Sequence, residues 1–320
     1  MAEMTIVRDL ATYVPPANGT AVTIGAYDGV HLGHQAVLRL VRELADARGY
    51  EACCLTFDRH PAEVVRPESA PKLLNSLDQK LELLEATGYL DVTCVLPFDA
   101  ARSKEPAEEF VQEVLVAGLR ARLVVVGADF HFGYRRHGTT RLLEQMGAEL
   151  GFEVLALGLV TAPEDPQGLP YSSTGIRHLL AEGRVADAAG LLGRPPRPYE
   201  VRGVVEPDRD ARRLGLPLTK VVISDGICLP ADGVYAGWFV DDDEVRPATI
   251  TVGRRRPPGV DADRSLLDAH VLDFDGDLDG QPVALRFVEW LHGPARSDSS
   301  DELLAHLRRD EETTRRLLDR

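Results

Sequence analysis

"IGAYDGVHLGHQAVL" (24–38) joins the end of a short apolar strand, TAVTIGAY (20–27), to an amphipathic helix, GHQAVLRLVRELADARG (33–49). Gly25, Gly29, Gly33, His31 and His34 crowd the junction. A helix N-terminus carries free backbone N–H groups and about half a positive charge, which suits phosphate. The glycines let the backbone turn tightly and come close to a ligand. His31 and His34 are three residues apart and share a face if both are helical. Paired imidazoles there can donate hydrogen bonds to a polyphosphate and to the charge that develops as pyrophosphate leaves. The loop holds no lysine and no GxxxxGK[ST], which excludes a P-loop here. No HExxH supplies a third zinc ligand, so no protein-held metal is expected.

Outward from this stretch the same rhythm repeats. EACCLTFD (51–58), VTCVLPF (92–98), ARLVVVGADF (121–130) and FEVLALGLV (152–160) read as strands. Between them, SLDQKLELLEATG (76–88), PAEEFVQEVLVAGL (106–119) and TTRLLEQMGAELG (139–151) carry apolar residues at helical spacing. Alternating strands and helices predict an α/β domain with a parallel sheet covered on both faces. STGIRHLLAEGRVADAAGLLGRPPRP (173–198) reads as two short helices and a proline-rich linker, placing the domain boundary near Pro195–Pro198. The expected domains are therefore 1–194 and 195–320. Beyond the linker, YEVRGVV, TKVVIS, GVYAGWFV, ATITV, DAHVLDF and PVALRFVEWL are strand-like pieces separated by turn residues. They predict a small antiparallel β-barrel, closed by the charged amphipathic helix SDELLAHLRRDEETTRRLLDR.

Composition narrows the partners. A formal net charge of −15 argues against a broad nucleic-acid or anionic-membrane surface. Cys53, Cys54, Cys94 and Cys228 form no CxxC pair and read as buried thiols. The start MAEMTIVRDLATYVPP lacks the basic flank and apolar stretch of a signal peptide, and no apolar run approaches membrane-spanning length, so a cytoplasmic protein is expected.

"GAYDGVHLGHQ" resembles the GxFDGVHxGHQ signature of the bacterial bifunctional riboflavin kinase/FMN adenylyltransferases, within the HxGH nucleotidyltransferases, with Tyr27 where Phe is usual. Three further motifs follow in the family's order. LTFDRHP (55–61) is similar to TFxPHP with Arg59 for proline, VVGADFHFGYRRHG (125–138) to VGxDFxFGxxRxG, and YSSTGIR (171–177) to ISSTxxR. The resemblance implies a Rossmann-like nucleotidyltransferase domain followed by a riboflavin-kinase-like barrel. It implies that Gly25, Ala26, Tyr27, Asp28, Gly29, Gly33, Ser172, Ser173 and Thr174 bind nucleotide, with His31, His34 and Arg177 catalytic. Hydroxyls of the serine–threonine run and the guanidinium fork of Arg177 suit phosphate oxygens. Phe57, His60, Phe130, Phe132 and Arg136 are the implied flavin or acceptor contacts. Asp129 joins them at a strand's carboxyl end, where open α/β sheets place ligand groups. The implied reaction is attack by FMN on the α-phosphorus of ATP, with Mg²⁺ held mainly by nucleotide and water.

The second half departs from the family where chemistry is expected. PDRDARRLGLPLTK (207–220) stands for GDxRGRxLGxPTAN, with Leu218, Thr219 and Lys220 in place of Thr, Ala and Asn. Leucine offers no metal ligand and an ammonium repels a cation. In LLDAHVLDFDGDLDG (266–280), Asp268 stands where the family's catalytic Glu is expected. These substitutions mark a degenerate kinase site beside an intact transferase site. Two other readings remain open. One is a paralogue that transfers AMP or CMP (from CTP) to a modified flavin or another phosphorylated metabolite, motivated by Arg59 and Tyr27. The other is a non-catalytic flavin or nucleotide sensor. Oligomeric state is not legible.

Overall fold

The computed structural model describes residues 3–158, 171–193, 198–207, 218–242, 244–253, 264–274, 276, 278–294 and 300–319. Packing divides the chain into two units, 1–172 and 173–320.

The first unit is built on β1 (Thr5–Val7), β2 (Thr20–Ile24), β3 (Glu51–Phe57), β4 (Val92–Leu96), β5 (Ala121–Gly127) and β8 (Glu153–Leu157). All pair in parallel, in the order β1-β4-β3-β2-β5-β8. The short β1, too brief for periodicity to reveal, extends the sheet beside β4. Side chains alternate between the two faces. Val22, Ile24, Cys53, Leu55 and Val124 pack with Val111, Val114 and Leu143 on one face, while Ala21, Ala52 and Val125 pack with Val41 and Ala45 on the other. Burial on both sides explains why these strands read as continuous apolar runs.

Helix α1 (Leu32–Arg48) covers one face and ends at Gly49, whose φ of 69° is the left-handed stop that glycine favours. α2 (Pro61–Val65) and α3 (Leu77–Ala86) follow β3, and Ser76 caps α3 through a capping box with Gln79. α4 (Ala107–Phe110), expected as one α-helix to residue 119, continues as a π-helical stretch, Val111–Gly118. A two-strand hairpin, β6 (His131–Phe132) with β7 (Gly138–Thr139), precedes α5 (Thr140–Leu150).

Successive strands run outward from β2 through β3 to β4, and then the chain returns to place β5 on the other side of β2. That reversal is the switch point outside which open α/β sheets bind ligands. The loops leaving β2 and β5 carry 25–31 and 128–130.

In the second unit, α6 (Ser173–Ala181) and α7 (Val185–Leu192) precede a closed six-strand antiparallel barrel. Its strands are β9 (Tyr199–Glu206), β10 (Thr219–Ser224), β11 (Gly233–Asp241), β12 (Glu244–Val252), β13 (Arg264–Val271) and β14 (Pro282–His292), and α8 (Ser300–Leu318) follows. The division by packing thus falls at 172/173 rather than in the proline-rich linker, whose residues 194–197 lie outside the described ones. The two helices go with the barrel because they pack against it. Ala231 N–H donates to the Leu180 carbonyl at 2.9 Å, and Gly183 lies against the Trp290 ring.

Candidate active site

At the carboxyl end of β2 the chain makes the turn that the glycines announce. Gly29 has φ 87°, and Tyr27 and Val30 also adopt positive φ, of 51° and 42°. For a β-branched residue such as Val30 that is a strained conformation, of the kind concentrated at functional sites. His31 is the N-cap of α1 rather than a helical residue, with φ −68° and ψ 172°. The pair still meets. The rings stack with centroids 3.7 Å apart and planes 20° from parallel. Gly33 permits this, because a Cβ there would lie 3.2 Å from the His31 ring and 3.1 Å from Tyr171 Cβ.

His31 is buried, and its Nδ1 accepts from the His34 backbone N–H at 3.4 Å. An accepting Nδ1 requires the ring proton on Nε2, leaving that nitrogen as a donor. His34 is half-buried, and its Nδ1 is buried with no hydrogen-bond partner. Desolvation, then the neighbouring His31 and Lys80, push the His34 pKa well below its ordinary value. His34 is therefore a neutral imidazole at physiological pH.

The other loop residues serve the loop itself. Asp28 is buried and its Oδ1 accepts from the Leu74 backbone N–H at 2.8 Å, while the Gly25 N–H donates to the Leu55 carbonyl at 3.1 Å. The Tyr27 hydroxyl, which distinguishes it from the family's Phe, lies 2.6 Å from Thr23 Oγ1 in the core. The added oxygen is thus satisfied internally. The Ala26 carbonyl accepts from Lys80 Nζ at 3.3 Å and from Thr56 Oγ1 at 3.3 Å.

Beside the loop, the end of β3 presents Phe57, Asp58, Arg59 and His60. Phe57 meets Phe98 edge-on at 5.3 Å. His60 caps α2, its Nδ1 accepting from Ala62 N–H at 3.1 Å. Arg59 is exposed and pairs with Asp58 at 3.4 Å. Ala26, Asp28, Asp58, Arg59, His60, Asn75 and Lys80 line a small cleft here.

At the end of β5, Asp129 is exposed and Phe130 half-buried. Phe130 stacks on Phe132 at 5.4 Å, but Phe132 is buried in the core against Phe110, so Phe130 is the ring of the two with surface left to offer. Arg136, with φ 60°, is exposed and sets its Nη2 3.2 Å from His131 Nδ1. Ser172 ends the first unit, while Ser173, Thr174 and Arg177 sit on the first turns of α6, where the second begins. Sequence reading overlooked Lys80, Asn75 and Phe98. A lysine three residues after Leu77 and four before Leu84, on the apolar stripe of its helix, was the available signal for the first.

Comparison with known proteins matches both units. Residues 14–167 match the FAD synthetase family and residues 195–318 the riboflavin kinase family. The bifunctional riboflavin kinase/FMN adenylyltransferase of Escherichia coli K12 is 34% identical over 302 residues, covering 94% of this chain and 93% of its own. The Pseudomonas fluorescens protein of the same description is 35% identical over 316 residues, covering 98% of each. The chain belongs to the bifunctional riboflavin kinase/FMN adenylyltransferase family.

A crystal structure described as a macrolide-efflux protein from Streptococcus pneumoniae has the same fold, with a TM-score of 0.80, 25% identity and coverage of 98% of this chain and 99% of its own. In the present chain, no described helix is long and apolar enough to cross a membrane.

Set against the family pattern, the barrel brings its departures together. Lys220 on β10 lies directly opposite Asp268 on β13 and Glu206 on β9, and Asp268 lies opposite Thr251 on β12. Residues in register share a face. The alternate positions Val205, Val221, Leu267 and Val252 are buried, so Glu206, Lys220, Asp268 and Thr251 form one row on the face turned away from the barrel interior. An ammonium flanked by two carboxylates does not fit a divalent-cation site at that position. Among the described residues no three His, Cys, Asp or Glu side chains converge to hold a metal ion. Thr219 faces inward opposite Ala269 and Leu218 is half-buried, while residues 208–217 of the motif lie outside the described ones.

Proposed function

We propose that the chain joins ATP to FMN, giving FAD and pyrophosphate, and that its riboflavin-kinase-like unit no longer phosphorylates riboflavin. The observation that carries the first part is the stacked pair of His31 and His34 at the N-terminus of α1, beside the sheet's switch point. In the reaction a terminal phosphate oxygen of FMN forms a bond to the α-phosphorus of ATP. The bond from that phosphorus to the oxygen bridging to the β-phosphate breaks, and the electron pair leaves with pyrophosphate. Such a displacement needs alignment and neutralisation of charge rather than a protein nucleophile.

The proposal assigns donation to that charge to His31 Nε2–H and the first N–H groups of α1, as a helix N-terminus suits phosphate. The proposal assigns further phosphate contacts to Ser172, Ser173, Thr174 and Arg177, and assigns the flavin to Phe57 and Phe130. Magnesium accompanying the triphosphate would be held by phosphate oxygens and water. The kinase part rests on the row Glu206–Lys220–Asp268, where a resident ammonium stands in the family's Asn position.

A second acceptor is favoured by one feature, the exposed Arg59 on the cleft where the family has proline. Tyr27 no longer motivates it, since its hydroxyl is bonded to Thr23. A screen of ATP and CTP against FMN, riboflavin and non-flavin phosphates, read by pyrophosphate release, tests the whole reading. Release with ATP and FMN supports FAD formation. Release only with another pair assigns the altered specificity. Flavin binding without any release assigns a sensor.

A further inference from the structure

Lys80 is placed against ordinary expectation. It is the fourth residue of α3, only 8% exposed, and its positive charge sits at the helix end where the backbone is already positive. Burial lowers its pKa, offset by Cys54, Asp28, Asp58 and Glu63. Its ammonium reaches three oxygens: the Phe57 carbonyl at 2.8 Å, Thr56 Oγ1 at 3.1 Å and the Ala26 carbonyl at 3.3 Å. An ammonium has three N–H bonds, so this set is complete and leaves no donor for a phosphate oxygen. Lys80 is therefore not built to hold substrate.

What it holds instead is the backbone on either side of the site. Ala26 lies in the loop that leads from β2 to His31, and Phe57 ends β3 just before Asp58, Arg59 and His60. Thr56 closes the arrangement by donating to the same Ala26 carbonyl. Ala26 and Lys80 also line the small cleft that they share with Asp28, Asp58, Arg59 and His60. In the same cleft, Asn75 is 5% exposed and its buried Oδ1 has no hydrogen-bond partner.

We propose that Lys80 is a positioning residue for adenylyl transfer, tying the nucleotide loop at Ala26 to the acceptor segment at Phe57 and so setting the approach of the attacking phosphate to the α-phosphorus. The inference rests on the transfer reading above. Displacing reacting groups by about 1 Å costs roughly 10²-fold in rate while leaving each substrate's own contacts in place.

The test uses the full-length protein with ATP and FMN. Turnover by the unaltered protein comes first, and its absence would overturn the transfer reading itself. Given turnover, Lys80→Ala is expected to lower kcat by about 10²-fold with both KM values within roughly threefold. Added ethyl- or propylammonium, which can refill the vacated position, should restore kcat saturably. Unchanged kcat, or a rise in KM at unchanged kcat, would overturn the proposal, as would failure of the alkylammonium to restore turnover in a variant that melts like the parent. If Lys80→Ala does not fold, Thr56→Val decides. It removes one oxygen of the strap at nearly constant shape and should lower kcat by about tenfold at unchanged KM, and normal kcat there would refute the role.

Discussion

Two lysines, one in each unit, meet different surroundings. Lys80 stands under the nucleotide loop, where neutral carbonyl and hydroxyl oxygens from β3 and the β2 loop converge on its three N–H groups. Lys220 stands in a row of side chains, in register with Glu206 on one neighbouring strand and Asp268 on the other. The first cation organises a site whose chemical groups lie on other residues. The second stands at the position that the family motif fills with Asn. The surroundings of each ammonium, neutral oxygens for Lys80 and acidic neighbours in register for Lys220, set what its charge can do. Neutral oxygens leave the charge of an ammonium to act on the surroundings, whereas neighbouring carboxylates offset it.

The comparison breaks most directly at the barrel. No riboflavin phosphorylation by the unaltered protein is expected in an ATP-coupled assay, and Asp268→Glu alone should leave it silent. The combination Leu218→Thr, Lys220→Asn and Asp268→Glu should bring measurable turnover, and robust activity before any change would show that Lys220 does not block the site. Next in size, His31→Ala should lower FAD formation by about 10²-fold or more, the effect of losing one charge-stabilising donor. Near-normal pyrophosphate release would remove His31 from the mechanism.

A smaller effect concerns pH. Because the folded state holds the His34 pKa below the unfolded value of 6.5, the unfolded chain binds the extra proton first as pH falls. Stability should thus decrease as the solution is acidified below about 6.5, with a slope approaching about 1.4 kcal/mol per pH unit for this one group. Denaturant titrations of the unaltered protein and of His34→Gln at several pH values should differ by that slope, and parallel curves would contradict the assignment. Smallest is Tyr27→Phe. It removes the Thr23 partner in the core and should cost about 1 kcal/mol in a melt, with KM for ATP and FMN unchanged. A changed KM would return Tyr27 to the substrate side.

Much of this was legible because it is local. The strand–glycine–histidine–helix junction, the alternation of strands and helices, and the six strand-like pieces after the linker each follow from spacing within a dozen residues. His31 and His34 were found for that reason. The three-residue β1 went unseen because so short a run carries no periodicity, and its pairing with β4 supplies what it lacks. Phe132 looked like a flavin wall by its position after β5, yet its ring goes into the core against Phe110. Neighbouring aromatics in one motif cannot be sorted into wall and core without the fold. His60 likewise takes a capping role set by the local turn into α2.

The chain's own order of residues determined the α/β sheet with its helices, the barrel, the family and the imidazole pair, since each depends on short-range pattern and on motifs read in sequence. Only the tertiary structure decided what the lysines do. Lys80 gathers oxygens 23, 24 and 54 residues away, and Lys220 meets carboxylates through the strand register. Hydrogen bonds and ion pairs act over a few ångströms of space, a distance that separation along the chain does not encode.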